Sequence, residues 1–169
     1  NFITVLQTMF TEGKYKIQDN YIVSTIKWFS ILVIVSAGII GVQELAGISI
    51  EQPETTNQLV RFFDISLAPI IEEIGFRVIL IGIPLFALYS QRSSLKILGK
   101  SLWWPWQNLQ NVNTKKALVV IITVGILFGA AHIFSDQSWS SGKLAQAIAS
   151  GIIIGWVYYR YGLVSAILI

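Results

Sequence analysis

Residues 59–89 read LVRFFDISLAPIIEEIGFRVILIGIPLFALY. The run is mostly apolar, yet Glu72, Glu73 and Arg77 stand at its middle. About 20 apolar residues rising 1.5 Å each cover a hydrocarbon core. This stretch is therefore too long for one straight span. Pro69 and Pro84 lack backbone donors and predict kinks within it. A charged side chain at the centre of a membrane helix costs about 2.5–3.5 kcal/mol even on the mildest scales. Three ionisable groups kept there are thus a signal of function.

Other apolar runs flank this one. Tyr21 to Val42 is the first, with Lys27 near its start, where a lysine can snorkel to headgroups. A polar segment, Glu44 to Asn57, follows with Pro53 and three glutamates. Beyond the quoted run come Ala117 to Phe134 and Leu144 to Tyr159. Tyr159-Arg160-Tyr161-Gly162 reads as a turn, and Leu163 to Ile169 starts another helix. The expected fold is all-α: a polytopic transmembrane bundle of kinked, tightly packed helices in one domain, residues 1–169, with about four complete spans plus the start of a fifth. The chain starts at Asn1 and stops at Ile169 within an apolar run, so it is expected to be a segment of a longer membrane protein. Small residues recur at four-residue spacing: Ala37 and Gly41, Gly125 and Gly129, Gly151 and Gly155. Such pairs let helix backbones approach closely in lipid.

Composition agrees. Hydrophobic residues make up 54% and charged residues only 12%, with mean hydropathy +0.65, where a soluble domain carries about 25% charged residues. There is no cysteine, which removes disulfides and thiol chemistry. One histidine excludes a His-Glu-x-x-His zinc protease, which needs two. The net charge of +3 suits anionic membrane lipids, and no basic reading surface for nucleic acid is visible. The Ser90–Lys116 connection carries Arg92, Lys96, Lys100, Lys115 and Lys116 around Trp103, Trp104 and Trp106, as an interfacial anchor would. Lys14, Lys16, this loop and Arg160 alternate with the Glu44–Glu54 and Asp136 sides. That alternation sets the basic loop in the cytoplasm and His132 toward the outer face of a multi-pass cell-membrane protein.

Spacing separates the charged residues. Glu73 and Arg77 are four apart with the acid first, the favourable order for an ion pair on one helix face. Glu72 lies about 100° round the helix and has no such partner in it. His132 is the other strongly titratable group in a comparable setting, with room beside it at Gly129-Ala130-Ala131. A lone histidine near a helix end is usually an interfacial or internally satisfied residue. A Glu and a His converging on one water act together as a general base. Asp136, one turn on, either orients the ring or is a solvated loop acid.

Glu72-Glu73-Ile74-Gly75-Phe76-Arg77 resembles the Glu-Glu-x-x-x-Arg motif of the CPBP intramembrane proteases, which include type II CAAX prenyl endopeptidases and bacteriocin-processing relatives. Phe128-Gly129-Ala130-Ala131-His132 is similar to their second motif, Phe-x-x-x-His. The resemblance spans about residues 66–169, and Gly151 to Ile169 resembles the stretch before a third motif, a His with Asn or Asp four residues later. That third motif is not among these residues and is expected just past Ile169.

The resemblance implies an endopeptidase that cuts a membrane-associated peptide, prenylated or leader-type, or a lipidated protein. Glu72 and His132 would activate the attacking water, while Glu73 and Arg77 would hold the helix of Glu72 in position. A zinc ion is the one cofactor in view, with Glu72 and His132 as its ligands; a metal-free activated water explains the residues equally well. Two other functions compete. A non-catalytic relative would bind and shelter membrane peptides or lipids as an immunity or scaffold protein. A proton-relay transporter would use Glu72 and His132 as carriers.

Overall fold

The structure is a computed structural model describing residues 21–51, 57–90, 94–134 and 139–169. Lys14, Lys16, Pro53, Glu54, Arg92 and Asp136 lie outside the described residues. Every regular element among the described residues is helical.

Helix α1 spans Tyr21–Leu45. It is apolar round its whole circumference, and Ile34, Val42 and Leu45 are among its exposed side chains. Next comes a continuous helical rod. Its first part, α2 (Gln58–Glu72), is started by Asn57, whose side chain accepts from the amides of Leu59 and Val60. The run then widens into a ten-residue π-helical segment, Glu73–Gly82, before returning to α geometry as α3 (Ile83–Tyr89). Backbone angles stay right-handed helical across both junctions. Pro69 lies inside α2, so the conspicuous departure from α geometry falls between the prolines. Pro84 has no N–H for an i→i−4 bond, and just before it the Ile83 amide reaches back five residues to Val78 O.

The tryptophan-rich connection folds into α4 (Leu95–Trp103) and α5 (Pro105–Asn108), the latter starting at a proline. Helix α6 (Thr114–Phe134) and α7 (Lys143–Tyr161) follow, and α8 (Leu163–Ile167) closes the chain. Gly162 turns between α7 and α8 at φ +92°, and a side chain there would run into Trp104. Among the described residues two helices are long and apolar enough to cross a bilayer, Ile22–Leu45 and Thr114–Phe134.

Glycines set the packing of α6 on α7. A methyl added at Gly125 would lie 3.0 Å from Ile152 N, and one at Gly151 would lie 3.0 Å from Gly125 Cα. Gly129 faces Ile148 and the Leu144 carbonyl, while Gly155 faces Ile121 and Ile81. The pairs on α6 and α7 therefore interlock. The Ala37/Gly41 pair does not among the described residues: Ala37 is exposed, and none of them approaches within 4 Å of a methyl at Gly41. Gly125→Ala should lose about 1–3 kcal/mol, because the neighbour in the way includes backbone. Gly38→Ala, in open space on α1, should instead gain up to about 1 kcal/mol of helix propensity. Thermal unfolding of the two variants in one detergent checks the contrast; equal melting points would refute it.

The two ends of the bundle differ in charge. At one, the Tyr158 hydroxyl donates to Leu102 O at 2.8 Å and Arg160 lies 4.0 Å over Trp106, tying the basic connection to the end of α7. At the other, Gln43 donates to Gly142 O at 2.7 Å and the Glu51 amide donates to Ser140 Oγ at 2.8 Å.

Candidate active site

Layers in the core fix which residues share a level. Gly155 meets Ile121 and Ile81; one turn earlier in α7, Gly151 meets Phe128; and Leu144 O meets Gly129. Along α7 from 155 toward 144, contacts on α6 rise in number. On the rod they fall, because Phe76 packs edge-to-face on Phe128 with ring centroids 4.9 Å apart. The rod is thus antiparallel to α6. Glu72 is four residues before Phe76, and His132 is four residues after Phe128. One helical turn beyond that aromatic contact, both come to the same level.

His132 is held there by its own helix. Its Nδ1 lies 2.9 Å from Phe128 O, and its ring lies 4.6 Å from the Phe128 ring. A carbonyl oxygen only accepts, so Nδ1 is the donor, and in the neutral ring Nε2 is then the acceptor. That is the tautomer a base or a metal ligand requires.

Glu73 and Arg77 sit beneath this level. Arg77 Nε is 3.1 Å from Glu73 Oε2, with both side chains buried. The distance gives ion pairing, although the N–H does not point at the oxygen closely enough for a hydrogen bond. The guanidinium carbon lies 4.5 Å from the Phe128 ring, so the pair leans on the residue that also positions His132. Its two terminal nitrogens find no acceptor among the described residues. Glu72, half-buried on the next face, makes no ion pair among the described residues.

A third group reaches this level that spacing alone did not single out. Lys143, at the start of α7, adjoins Leu144, whose carbonyl faces Gly129 one turn before His132. Its ammonium is 4.4 Å from the Trp139 ring and donates to Gln146 Oε1 at 2.8 Å. The Trp139 amide donates to His132 O at 3.0 Å, which joins the Lys143 segment to the end of α6. In the sequence Lys143 reads as a lysine flanking an apolar run, and only the fold gives it neighbours.

Among the described residues no three His, Cys, Asp or Glu side chains gather as metal ligands. Glu72 and His132 offer two, fewer than the three that a catalytic zinc takes from protein. The described residues therefore do not fit a zinc site by themselves, and the chemistry below routes no step through a metal.

Residues 55–169 match the family model described as Type II CAAX prenyl endopeptidase Rce1-like. Neither the curated proteins nor the solved structures gave a match.

Proposed function

The chain belongs to the type II CAAX prenyl endopeptidase Rce1-like family, and from that premise we propose that it hydrolyses a peptide bond of a prenylated or otherwise membrane-anchored substrate through a water activated by Glu72 and His132. The family is one of membrane-embedded proteases, and the two long apolar helices fit that setting. We further take the rod of residues 58–89 and α7 as additional membrane helices, making the protein multi-pass.

The observation that supports the reading is the Phe76–Phe128 contact, from which we infer one level for Glu72 and His132, each one turn further along antiparallel helices; the Nδ1–Phe128 O bond leaves Nε2 of the neutral ring as the acceptor. In the proposed step, the water oxygen adds to the peptide carbonyl carbon as Glu72 accepts its proton. His132 Nε2 accepts a hydrogen bond from the same water and keeps the oxygen aimed. The proton then passes from Glu72 to the amide nitrogen, the C–N bond breaks, and a carboxylic acid and an amine leave. Arg77 and Glu73 act as positioning residues by fixing the Phe128 face against which His132 rests.

The test is cleavage of a farnesylated CAAX peptide by the intact protein in liposomes that retain it through alkaline carbonate extraction. His132→Ala should lower the rate about 10²- to 10⁴-fold, the usual contribution of a general acid–base group. A variant cutting at the parental rate would sink the mechanism.

A further inference from the structure

The end of α1, the segment after it and the start of α7 border an open cavity of about 510 Å³. Ile40, Ile50 and Trp139 give it apolar walls, Glu44 stands exposed at one side, and Lys143 and Gln146 line the other. Its frame is tied across the chain. The Ser140 hydroxyl donates to Ser49 O at 3.1 Å, the Glu51 amide donates to Ser140 Oγ, and the Gln43 amide group donates to Gly142 O. The Lys143 ammonium is held in place by Gln146 and the Trp139 face. An ammonium has three donors, and Gln146 takes one. One half-buried cation with donors to spare, set among apolar walls, is complementary to a carboxylate attached to apolar side chains.

We propose that this cavity receives the free C-terminal carboxylate of the substrate peptide, with Lys143 as its anchor. The proposal rests on the proteolytic reading and names the part of the substrate that the site recognises. Connectivity supports it, because the Trp139 amide bonded to His132 O places the cavity beside the candidate catalytic level. Lys143 also adjoins Leu144, whose carbonyl faces Gly129 one turn before His132, so the ammonium and the candidate catalytic level share one end of the bundle. Recognition by terminal charge would select chain ends over internal sequences, whatever the side chains.

The experiment compares two farnesylated peptides identical except for a free carboxylate or a carboxamide at the C-terminus. Cleavage by the intact protein should show KM about 10- to 100-fold higher for the carboxamide, the usual worth of a hydrogen bond to a charged group, with kcat little changed. Lys143→Met should raise KM for the acid by a similar factor and abolish the distinction between the peptides; Lys143→Arg should restore part of it. Parental protein cutting both peptides alike would overturn the proposal without any variant, as would Lys143→Met weakening both equally. Binding of the same peptides, made uncleavable by a reduced bond, is measured in parallel by fluorescence anisotropy. If nothing is cleaved yet the acid still binds more tightly, the proteolytic reading fails and the carboxylate site stands. Repeating the binding in phosphatidylcholine vesicles with and without phosphatidylglycerol adds a further check. Loss of the distinction with the anionic lipid would assign Lys143 to headgroups and overturn the proposal.

Discussion

Glu72→Gln should cost about 10²- to 10⁴-fold in cleavage rate while leaving the melting temperature of the protein within a degree or so of the parent, since surface-like changes stay within about 0.5 kcal/mol. The substitution preserves shape and removes only the basic oxygen. Glu72 is half-buried and forms no ion pair among the described residues, so the fold does not depend on its charge. Its value lies in sharing a level with the open nitrogen of His132. Peptide cleavage followed with calorimetry on the same preparation checks both halves of the expectation. An active Glu72→Gln protein would remove the proposed base.

The neighbouring acid should behave in the opposite way. Arg77→Met leaves Glu73 buried beside no cation, and Glu73→Leu leaves Arg77 buried beside no anion. Breaking a buried pair from one side costs about 3–5 kcal/mol. The double variant Glu73→Leu/Arg77→Met removes both charges at once and should recover most of that loss, because two similar-sized apolar residues then fill the buried site, one of them against Phe128. Denaturation midpoints in detergent read the cycle directly. A double variant no more stable than the worse single variant would show that the pair is not the relevant unit. The double variant should also keep measurable cleavage, since neither residue is assigned a proton in the reaction.

Much of this was visible in residues 59–89 before any coordinates. Helicity followed from the apolar runs, and the i,i+4 spacing put Glu73 with Arg77 while turning Glu72 away. The long second stretch was also apparent, but not its form. Two prolines predict kinks, and between them the turns also widen, which the prolines alone do not predict. Pro84, without an N–H, is the one local mark near the end of the widened segment, and periodicity does not show the widening itself. Small-residue spacing was informative where a second helix lies opposite, at Gly125, Gly129, Gly151 and Gly155, and uninformative at Ala37 and Gly41. Periodicity shows which residues share a face but not whether the face is covered. For the same reason nothing in the sequence singles out Lys143. Its contacts with Trp139 and Gln146 are made around a helix start whose place beside α6 no sequence window contains.

The π segment also limits how this chain can diverge. The ten residues from Glu73 to Gly82 form wide turns that set how the two flanks of the rod face one another. Where the winding is otherwise kept, one residue more or less in helical geometry turns everything on one side by about 100° relative to the other. Leu85 and Ile81 could keep their buried places only if Glu72 swung off the level of His132, or the reverse. Substitutions along this stretch are open to selection one side chain at a time, but its length is not. Insertions and deletions should therefore be excluded from residues 72–85 in descendants that keep the activity, even where the letters themselves drift.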